Sequence, residues 1–479
     1  MTPEEFRQHG YAMIDLIADY RQNIEQRGVQ PTTQPGEIKA ALPASPPDTA
    51  EPFEQIMGDV EKLIMPGLLH WQHPSFFGFF PSNVELSSVL GDCLSTGLGV
   101  IGLSWQSSPA LTEIEEVTTD WLRDMLGLGS TWSGVIQDSA STSTLVALIS
   151  ARERSSDYAL MHNGLQNNGA PLIVYTSAHA HSSVNKAAIL AGFGQNHIRT
   201  IATDAHNAMS PQALAHAIEQ DLAAGNTPCV VIATTGTTAA MAIDPLDAIG
   251  DLTQRHGLWL HVDSAMAGAA MILPECRALW DGIEKADSLV LNPHKWLGAA
   301  FDCSVYFVRD PEHLIRIMTT NPSYLQSSAD GQVRNYRDWR ISLGSRFRAL
   351  KLWFLIREQG VSGLQARLRR DLANARWLVE QIDATEHWAL VATPALQTLC
   401  IRHEPPGLEG QALDTHTRAW AEKLNQSGDA YVTPAILDGR WMVRVSIGAL
   451  GTERQHVEWL WARLQTLVAE TPPSPQLTV

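Results

Sequence analysis

The sequence predicts an α/β protein built on a largely parallel sheet, with a helical N-terminal segment and a smaller α+β C-terminal domain. Three observations predict it. Between about residues 130 and 310, short apolar, β-rich runs at 171–176, 229–234, 258–262, 288–291 and 304–308 alternate with amphipathic helical stretches. Those runs are continuously apolar rather than alternating, the pattern of strands covered on both faces. After Gly360 the apolar spacing becomes helical and then breaks into shorter elements.

Taken in order, Thr2-Pro3-Glu4-Glu5 opens a helix: Thr2 and Glu5 have capping-box spacing, and Pro3 occupies a first-turn position where its missing N–H is harmless. Phe6, Met13, Ile14 and Ile17 then form one apolar face. Pro31, Pro35, Pro43, Pro46, Pro47 and Pro52 make the following stretch an extended crossing segment. Ser210-Pro211 opens a helix with Leu214, Ile218 and Leu222 on one side, closed by Gly225. Leu364, Leu368, Leu372, Ala375, Leu378 and Ile382 mark a long helix after Gly360, and Thr452 to Gln455 open a last one carrying Val457, Leu460, Leu464 and Leu467. The tail from Thr471 is expected to fray. These shifts divide the chain into an N-terminal segment (1–85), a large α/β domain (86–355) and a small C-terminal domain (356–479).

A chain of 479 residues with 44% hydrophobic and 18% charged residues folds around a substantial core. Its 34 Lys and Arg against 51 Asp and Glu give a net charge of −17, which disfavours nucleic acid and anionic lipid surfaces as partners. The five scattered cysteines form no C-x-x-C pair, so neither a disulfide framework nor a structural zinc site is expected. With no signal-peptide pattern at Met1 and no long apolar run, the expectation is a soluble cytoplasmic protein without a membrane span.

The chemistry concentrates at strand ends. Asn292-Pro293-His294-Lys295-Trp296 directly follows the 288–291 run, placing a lysine just past the carboxyl end of a core strand, where open α/β sheets bind ligands. His261-Val262-Asp263-Ser264-Ala265 ends the neighbouring run. Taken singly, Lys295 reads more readily as a surface lysine, since most lysines are exposed, and Asp263 as a helix cap or metal ligand. As a pair they meet the two needs of pyridoxal phosphate: an amine for the Schiff base, and a carboxylate that keeps the pyridine nitrogen protonated. Ser139-Ala140-Ser141-Thr142-Ser143-Thr144 runs into a helical pattern, so its hydroxyls and free N–H groups suit a phosphate, or simply cap the helix. His179 and His181 form an H-x-H pair with metal-ligand spacing, but no third ligand is evident, and no metal is expected.

Seven ordered segments then resemble one family: His70-Trp71-Gln72-His73-Pro74, Gly102-Leu103-Ser104-Trp105, Ser139-Ala140-Ser141, Ala180-His181-Ser182-Ser183-Val184, His261-Val262-Asp263, Asn292-Pro293-His294-Lys295-Trp296 and Tyr336-Arg337-Asp338-Trp339. Together, over about Phe6 to Val468, they resemble the pyridoxal-phosphate group II decarboxylases, and among these the aromatic-L-amino-acid decarboxylases. The resemblance implies the type I fold of pyridoxal-phosphate enzymes, with a mainly parallel seven-stranded sheet. It makes Lys295 the Schiff-base lysine and Asp263 the partner of the pyridine nitrogen, with Ala265 and His181 on opposite ring faces. Ser139, Ala140, Ser141, Asn292 and His294 would surround the phosphate, and Thr238 would lie beside the cofactor. Tyr324 would stand on a mobile lid spanning 321–330 and reprotonate the α-carbon after carbon dioxide leaves, with His181 in the proton path.

Substrate contacts implied by the same resemblance are Trp71, Phe79, Phe80, Pro81, Ile101, Leu103 and Leu343, with Ile101 and Leu103 supplied by the partner subunit of a homodimer clasped by the N-terminal segment. Arg444 matches a family arginine near the site, or is an exposed strand arginine. An apolar, aromatic lining suits an indole or phenyl ring. Phe79 replaces the tyrosine, and Leu103 the phenylalanine, usual in the animal enzymes, which removes a hydroxyl and frees volume; Asp138 replaces the usual glycine before Ser139. The expected reaction is decarboxylation of an aromatic L-amino acid to its amine. The alternatives are an aldehyde synthase, disfavoured by Tyr324 and His181, a decarboxylase of acidic amino acids, and a non-catalytic scaffold.

Overall fold

The computed structural model describes residues 1–165, 169–320 and 322–470; Asn321 and the tail expected to fray lie outside the described residues. The chain forms two compact units, one of residues 1–81, 376–389 and 401–479, the other of 82–375 and 390–400.

The second unit holds a seven-stranded sheet of β1 (Ser133–Gln137), β2 (Leu172–Ser177), β3 (Ile198–Ile201), β4 (Thr227–Thr234), β5 (Trp259–Asp263), β6 (Ser288–Leu291) and β7 (Ser304–Val308), in the order β1-β7-β6-β5-β4-β2-β3. Pairing is parallel from β3 to β6, and β7 runs antiparallel to both β6 and β1. The exception has a local cause. The β6–β7 connection contains no crossover helix, and parallel return needs one. The expected runs at 288–291 and 304–308 are strands over those same residues, and the other three match within a few positions. β1 and β3 carried no sequence signal: β1 reads Ser-Gly-Val-Ile-Gln, and β3 is a four-residue edge strand mostly short of full burial.

One sheet face is covered by the Ala140–Ser155 helix, whose Val146, Ala147, Leu148 and Ala151 pack with Val174, Val230, Ile232, Trp259, Tyr306 and Val308. Ser210 caps its helix as expected, accepting the Ala213 N–H at 3.2 Å, and Leu214 and Ile218 are fully buried. Leu222 instead is 49% exposed, one turn past the sheet contact. The long C-terminal helix runs over Ala349–Asp383 and breaks at Gly360 (φ 62°), a conformation that glycine adopts without steric cost.

In the first unit the Pro3–Gln22 helix carries the expected capping box, with Glu5 N–H on Thr2 Oγ1 at 3.2 Å and Thr2 N–H on the Glu5 carboxylate at 2.6 Å. Its apolar face is not covered: Phe6, Met13 and Ile14 are exposed. The Arg454–Glu470 helix buries Val457, Leu460, Leu464 and Leu467, but Thr452 does not cap it. The Thr452 hydroxyl donates to the Pro74 carbonyl at 2.7 Å. A four-stranded sheet in the order β10-β11-β9-β8 completes the C-terminal region, with β8 at Trp388–Leu390, β9 at Thr398–His403, β10 at Thr433–Leu437 and β11 at Arg440–Ser446. No helix among the described residues is long and apolar enough to cross a membrane.

Burial separates two leucines that helical spacing treats alike. Leu148→Ala should cost about 2–5 kcal/mol of unfolding free energy, and Leu222→Ala no more than about 0.5 kcal/mol; chemical denaturation of both variants checks the contrast.

Candidate active site

Strand alternation puts Trp259, His261 and Asp263 on one face of β5, the face covered by the Ala140–Ser155 helix. Asp263 ends the strand, opposite Thr234 of β4 and Val290 of β6. It is buried, and its Oδ1 accepts the Ala265 N–H at 3.0 Å. The helix follows β1, whose last residue lies at the same edge, so its N-terminus faces the strand ends.

Lys295 sits four residues beyond β6 in the turn Pro293–Leu297. That turn is held from several sides. The Lys295 N–H donates to the Asn292 carbonyl at 2.9 Å, and its carbonyl accepts the Asn83 N–H at 3.2 Å. Next to it Trp296 is fully buried, with its indole N–H on Asp371 at 2.9 Å, while Arg367 donates to the Trp296 and Leu297 carbonyls at 2.7 Å each. Burial raises the Asp371 carboxyl to about 6, with Arg370 and the Trp296 indole opposing.

Around Lys295 the expected cofactor residues differ in how far they are committed to protein partners. Asn292 is buried; its backbone N–H donates to the Ala265 carbonyl at 2.9 Å, but its side-chain oxygen has no hydrogen-bond partner among the described residues. His294 Nδ1 accepts the Cys303 N–H at 2.9 Å, which puts the proton of the neutral ring on Nε2. His181 follows β2 and is likewise fixed, its Nδ1 taking the Ser183 N–H at 3.2 Å and the Ser183 hydroxyl at 2.7 Å. Burial lowers the His181 pKa, Asp263's charge opposes that shift and Lys295's adds to it, so the three groups share one electrostatic environment.

Ser139 caps the Ala140–Ser155 helix through the Thr142 N–H at 3.3 Å, leaving the Ala140 and Ser141 N–H groups without intrahelical partners. The Asp138 carboxylate turns back onto the Ser139 N–H at 2.9 Å and is exposed, a bracing position. Thr238 is exposed and Ala265 partly so. An orphaned buried amide oxygen, two imidazoles with fixed N–H edges, a free helix N-terminus and a buried carboxylate at one strand edge fit a phosphorylated, nitrogen-bearing aromatic ring.

The remaining positions are divided between the two units. Ile101 is 62% and Leu343 43% exposed, and Gly344 lies against both Ile101 and Leu103, so the three leucine and isoleucine positions border one open apolar patch. Trp71, Phe79, Phe80, Pro81 and Arg444 belong to the first unit. There Trp71 stacks on Phe79 at 5.2 Å, and the Arg444 guanidinium lies 4.7 Å over the Phe80 ring. Arg444 is buried on β11, not an exposed strand arginine. Tyr324, on the turn Ser323–Leu325, is 78% exposed and not packed into the site. The loop after it is tied by Asp330, which accepts the Ser327 hydroxyl at 3.0 Å and the Asn335 amide at 3.1 Å.

Sequence reasoning missed the bracing layer. Trp280 donates to both Thr235 Oγ1 and Ser264 Oγ at 3.0 Å, pinning the ends of β4 and β5, and no local motif marks a tryptophan that acts across 45 residues.

His294 gives this site a pH signature. Burial, with the Lys295 charge adding to it, pushes its pKa from 6.5 down to about 4. The unfolded chain takes up a proton that the folded site refuses, so this stabilisation is present above pH 6.5 and lost as pH falls through about 4. In denaturation series across that window, His294→Gln should lose stability more shallowly than the unaltered enzyme, by up to about 1.4 kcal/mol per pH unit; parallel curves would contradict it.

Comparison with known proteins agrees with this geometry. The pyridoxal-dependent decarboxylase conserved domain matches residues 35–404. The chain is 39% identical to an aromatic-L-amino-acid decarboxylase of Catharanthus roseus over 98% of this chain and 94% of that one. It is 38% identical to a phenylacetaldehyde synthase of Arabidopsis thaliana, covering 97% and 96% respectively. A crystal structure of Oryza sativa TDC with PLP and tryptamine superposes with a TM-score of 0.94 at 35% identity, over 98% of this chain and 99% of that chain. The chain therefore belongs to the pyridoxal-dependent decarboxylase family and is a pyridoxal-phosphate-dependent amino-acid decarboxylase.

Proposed function

We propose that the enzyme decarboxylates aromatic L-amino acids of the tryptophan, tyrosine, phenylalanine or DOPA type to the corresponding amine and carbon dioxide. The observation that carries this reading is the buried Asp263 at the edge of β5, with the clamped Lys295 turn on the adjacent strand. Pyridoxal phosphate, when bound, supplies an aldehyde for the substrate amine and a ring that accepts the electrons left when the carboxylate departs.

The chain's own groups do the rest. Lys295 Nζ would hold the cofactor and release it to the incoming amine. Asp263 keeps the ring nitrogen protonated, and its burial makes that charge pairing stronger than it would be in water. His181, neutral with its proton on Nε2, and Ala265 would bound the ring faces. The Ala140 and Ser141 N–H groups, the Ser139 hydroxyl, Asn292 and the Nε2–H edge of His294 suit the phosphate. Tyr324, exposed on its turn in this structure, would deliver a proton to the α-carbon when its loop closes to exclude water.

Aromatic substrates are favoured over acidic ones because Trp71, Phe79, Phe80, Pro81, Ile101, Leu103 and Leu343 offer apolar surface. Arg444, engaged over Phe80, shapes that lining. The enzyme acts as a cytoplasmic homodimer, in which the exposed Phe6, Met13 and Ile14 face of the N-terminal segment and the open patch of Ile101 and Leu103 are covered by the partner. A second reading, aldehyde synthesis, draws on the Arabidopsis thaliana relative named phenylacetaldehyde synthase, which is nearly as similar as the decarboxylase. Tyr324 favours simple decarboxylation, since a phenolic hydroxyl can protonate the α-carbon before dioxygen reaches it.

Incubating holoenzyme with aromatic and acidic L-amino acids, and reading amine, carbon dioxide, aldehyde and peroxide together, should give amine and carbon dioxide from the aromatic set alone. Lys295→Ala should abolish turnover. Tyr324→Phe should divert product toward aldehyde and peroxide; aldehyde as the main product of the unaltered enzyme would establish the second reading. Light scattering should give twice the 52.5 kDa chain mass, and a monomer at working concentration would refute the shared site.

A further inference from the structure

Beneath Asp263, on the same face of β5, lies a second titratable residue that no step above uses. His261 is fully buried, and its Nδ1 is 2.8 Å from the Ser288 hydroxyl of β6, directly across the strand pair. The same hydroxyl accepts the Trp259 indole N–H at 2.9 Å. Since the indole can only donate, the Ser288 hydrogen is free to point at His261 Nδ1. That assignment places the imidazole hydrogen on Nε2, and Nε2 is buried with no hydrogen-bond partner among the described residues.

An orphaned buried donor costs about 1–3 kcal/mol, and its surroundings offer one anion. Asp263 is two residues on and projects to the same face, about 7 Å away along the strand. Its charge is the principal one acting on the His261 ring, while burial holds that ring neutral. Thr234, opposite Asp263 on β4, adds a second buried hydroxyl without a partner among the described residues. Two uncommitted polar groups thus neighbour the one carboxylate to which a ring nitrogen would be brought.

We propose that His261, assisted by Thr234, is a positioning residue that holds the Asp263 carboxylate aimed at the cofactor nitrogen, its Nε2–H donating to that carboxylate through a bridging water. This rests on the reading of Asp263 as the nitrogen's partner. His261 itself touches no reacting atom. Its effect is read at the ring nitrogen, as the second layer around a metal is read at its ligands.

The test uses holoenzyme reconstituted with pyridoxal phosphate labelled with 15N in the ring, and reads the nitrogen's NMR shift and the cofactor dissociation constant, with apoenzyme melting as a structural control. His261→Phe should weaken cofactor binding about tenfold or more and move the 15N signal toward the unprotonated pyridine value. His261→Gln, which keeps a donor, should restore most of both, and Thr234→Val should move both less and in the same direction. If His261→Phe does not fold, His261→Gln and Thr234→Val carry the decision. A 15N shift and affinity unchanged in the folded variants, with only apoenzyme melting altered, would overturn the proposal. Asp263→Asn separates the layers: if it too leaves the 15N signal in place, the reading of Asp263 is what fails.

Discussion

A carboxylate buried at the end of a central strand is the constraint on which this structure turns. Taking Asp263 out of water is expensive unless its charge is answered. Within the protein alone Asp263 Oδ1 takes one N–H, from Ala265. On the proposed reading the rest of the charge would be answered by a ligand that brings its own proton, and the site would be completed by the cofactor. The bracing at Trp280, Thr235 and Ser264 then acquires a purpose. A charge awaiting a partner has to be held in place by neighbours that do not neutralise it.

The same division of labour shapes the lysine. A side chain that would exchange one partner for another, as proposed for Lys295, has to be mobile at its tip and fixed at its root. The Pro293–Leu297 turn fixes the root through Trp296, Asp371 and Arg367. His294 and His181 are fixed differently. Each spends its Nδ1 on a backbone N–H, so each presents a defined Nε2–H edge, and burial keeps both neutral where a charged imidazolium would compete with Lys295.

How much of this was legible in the sequence depends on the range over which each feature acts. Strands β5, β6 and β7 are continuous apolar runs because both faces are covered, and that one-dimensional signal located Asp263 and Lys295 at their ends. β1 could not be seen, because Ser-Gly-Val-Ile-Gln is too short and mixed to stand out and takes its identity from pairing with β7. Leu222 kept helical spacing and lost its contact, because the spacing is the same whether or not the sheet extends beneath it. The capping box of the first helix was visible, and the exposure of its apolar face was not, since a sequence records that a face is apolar without recording what covers it. Asp371 and Trp280 were invisible for the same reason: their partners lie 75 and 45 residues away.

The chain's similarity to decarboxylases and to an aldehyde synthase at almost equal identity follows from the chemistry. Both outcomes need the same buried carboxylate, the same clamped lysine and the same anchored phosphate, so the pressures that shape the sheet, the strand ends and the helix N-terminus are common to both. What separates them is a race at one carbon, between a proton delivered by the lid and a molecule of oxygen. On the proposed reading a single hydroxyl decides that race, and Tyr324, which would carry it, stands on an exposed turn that contributes little to the core. Whole-chain identity is therefore insensitive to the distinction, whereas the composition of the lid is sensitive to it. On that reading the residue that would set the product is among the least constrained by the fold, and the residues most constrained by the fold would set only that there is a reaction.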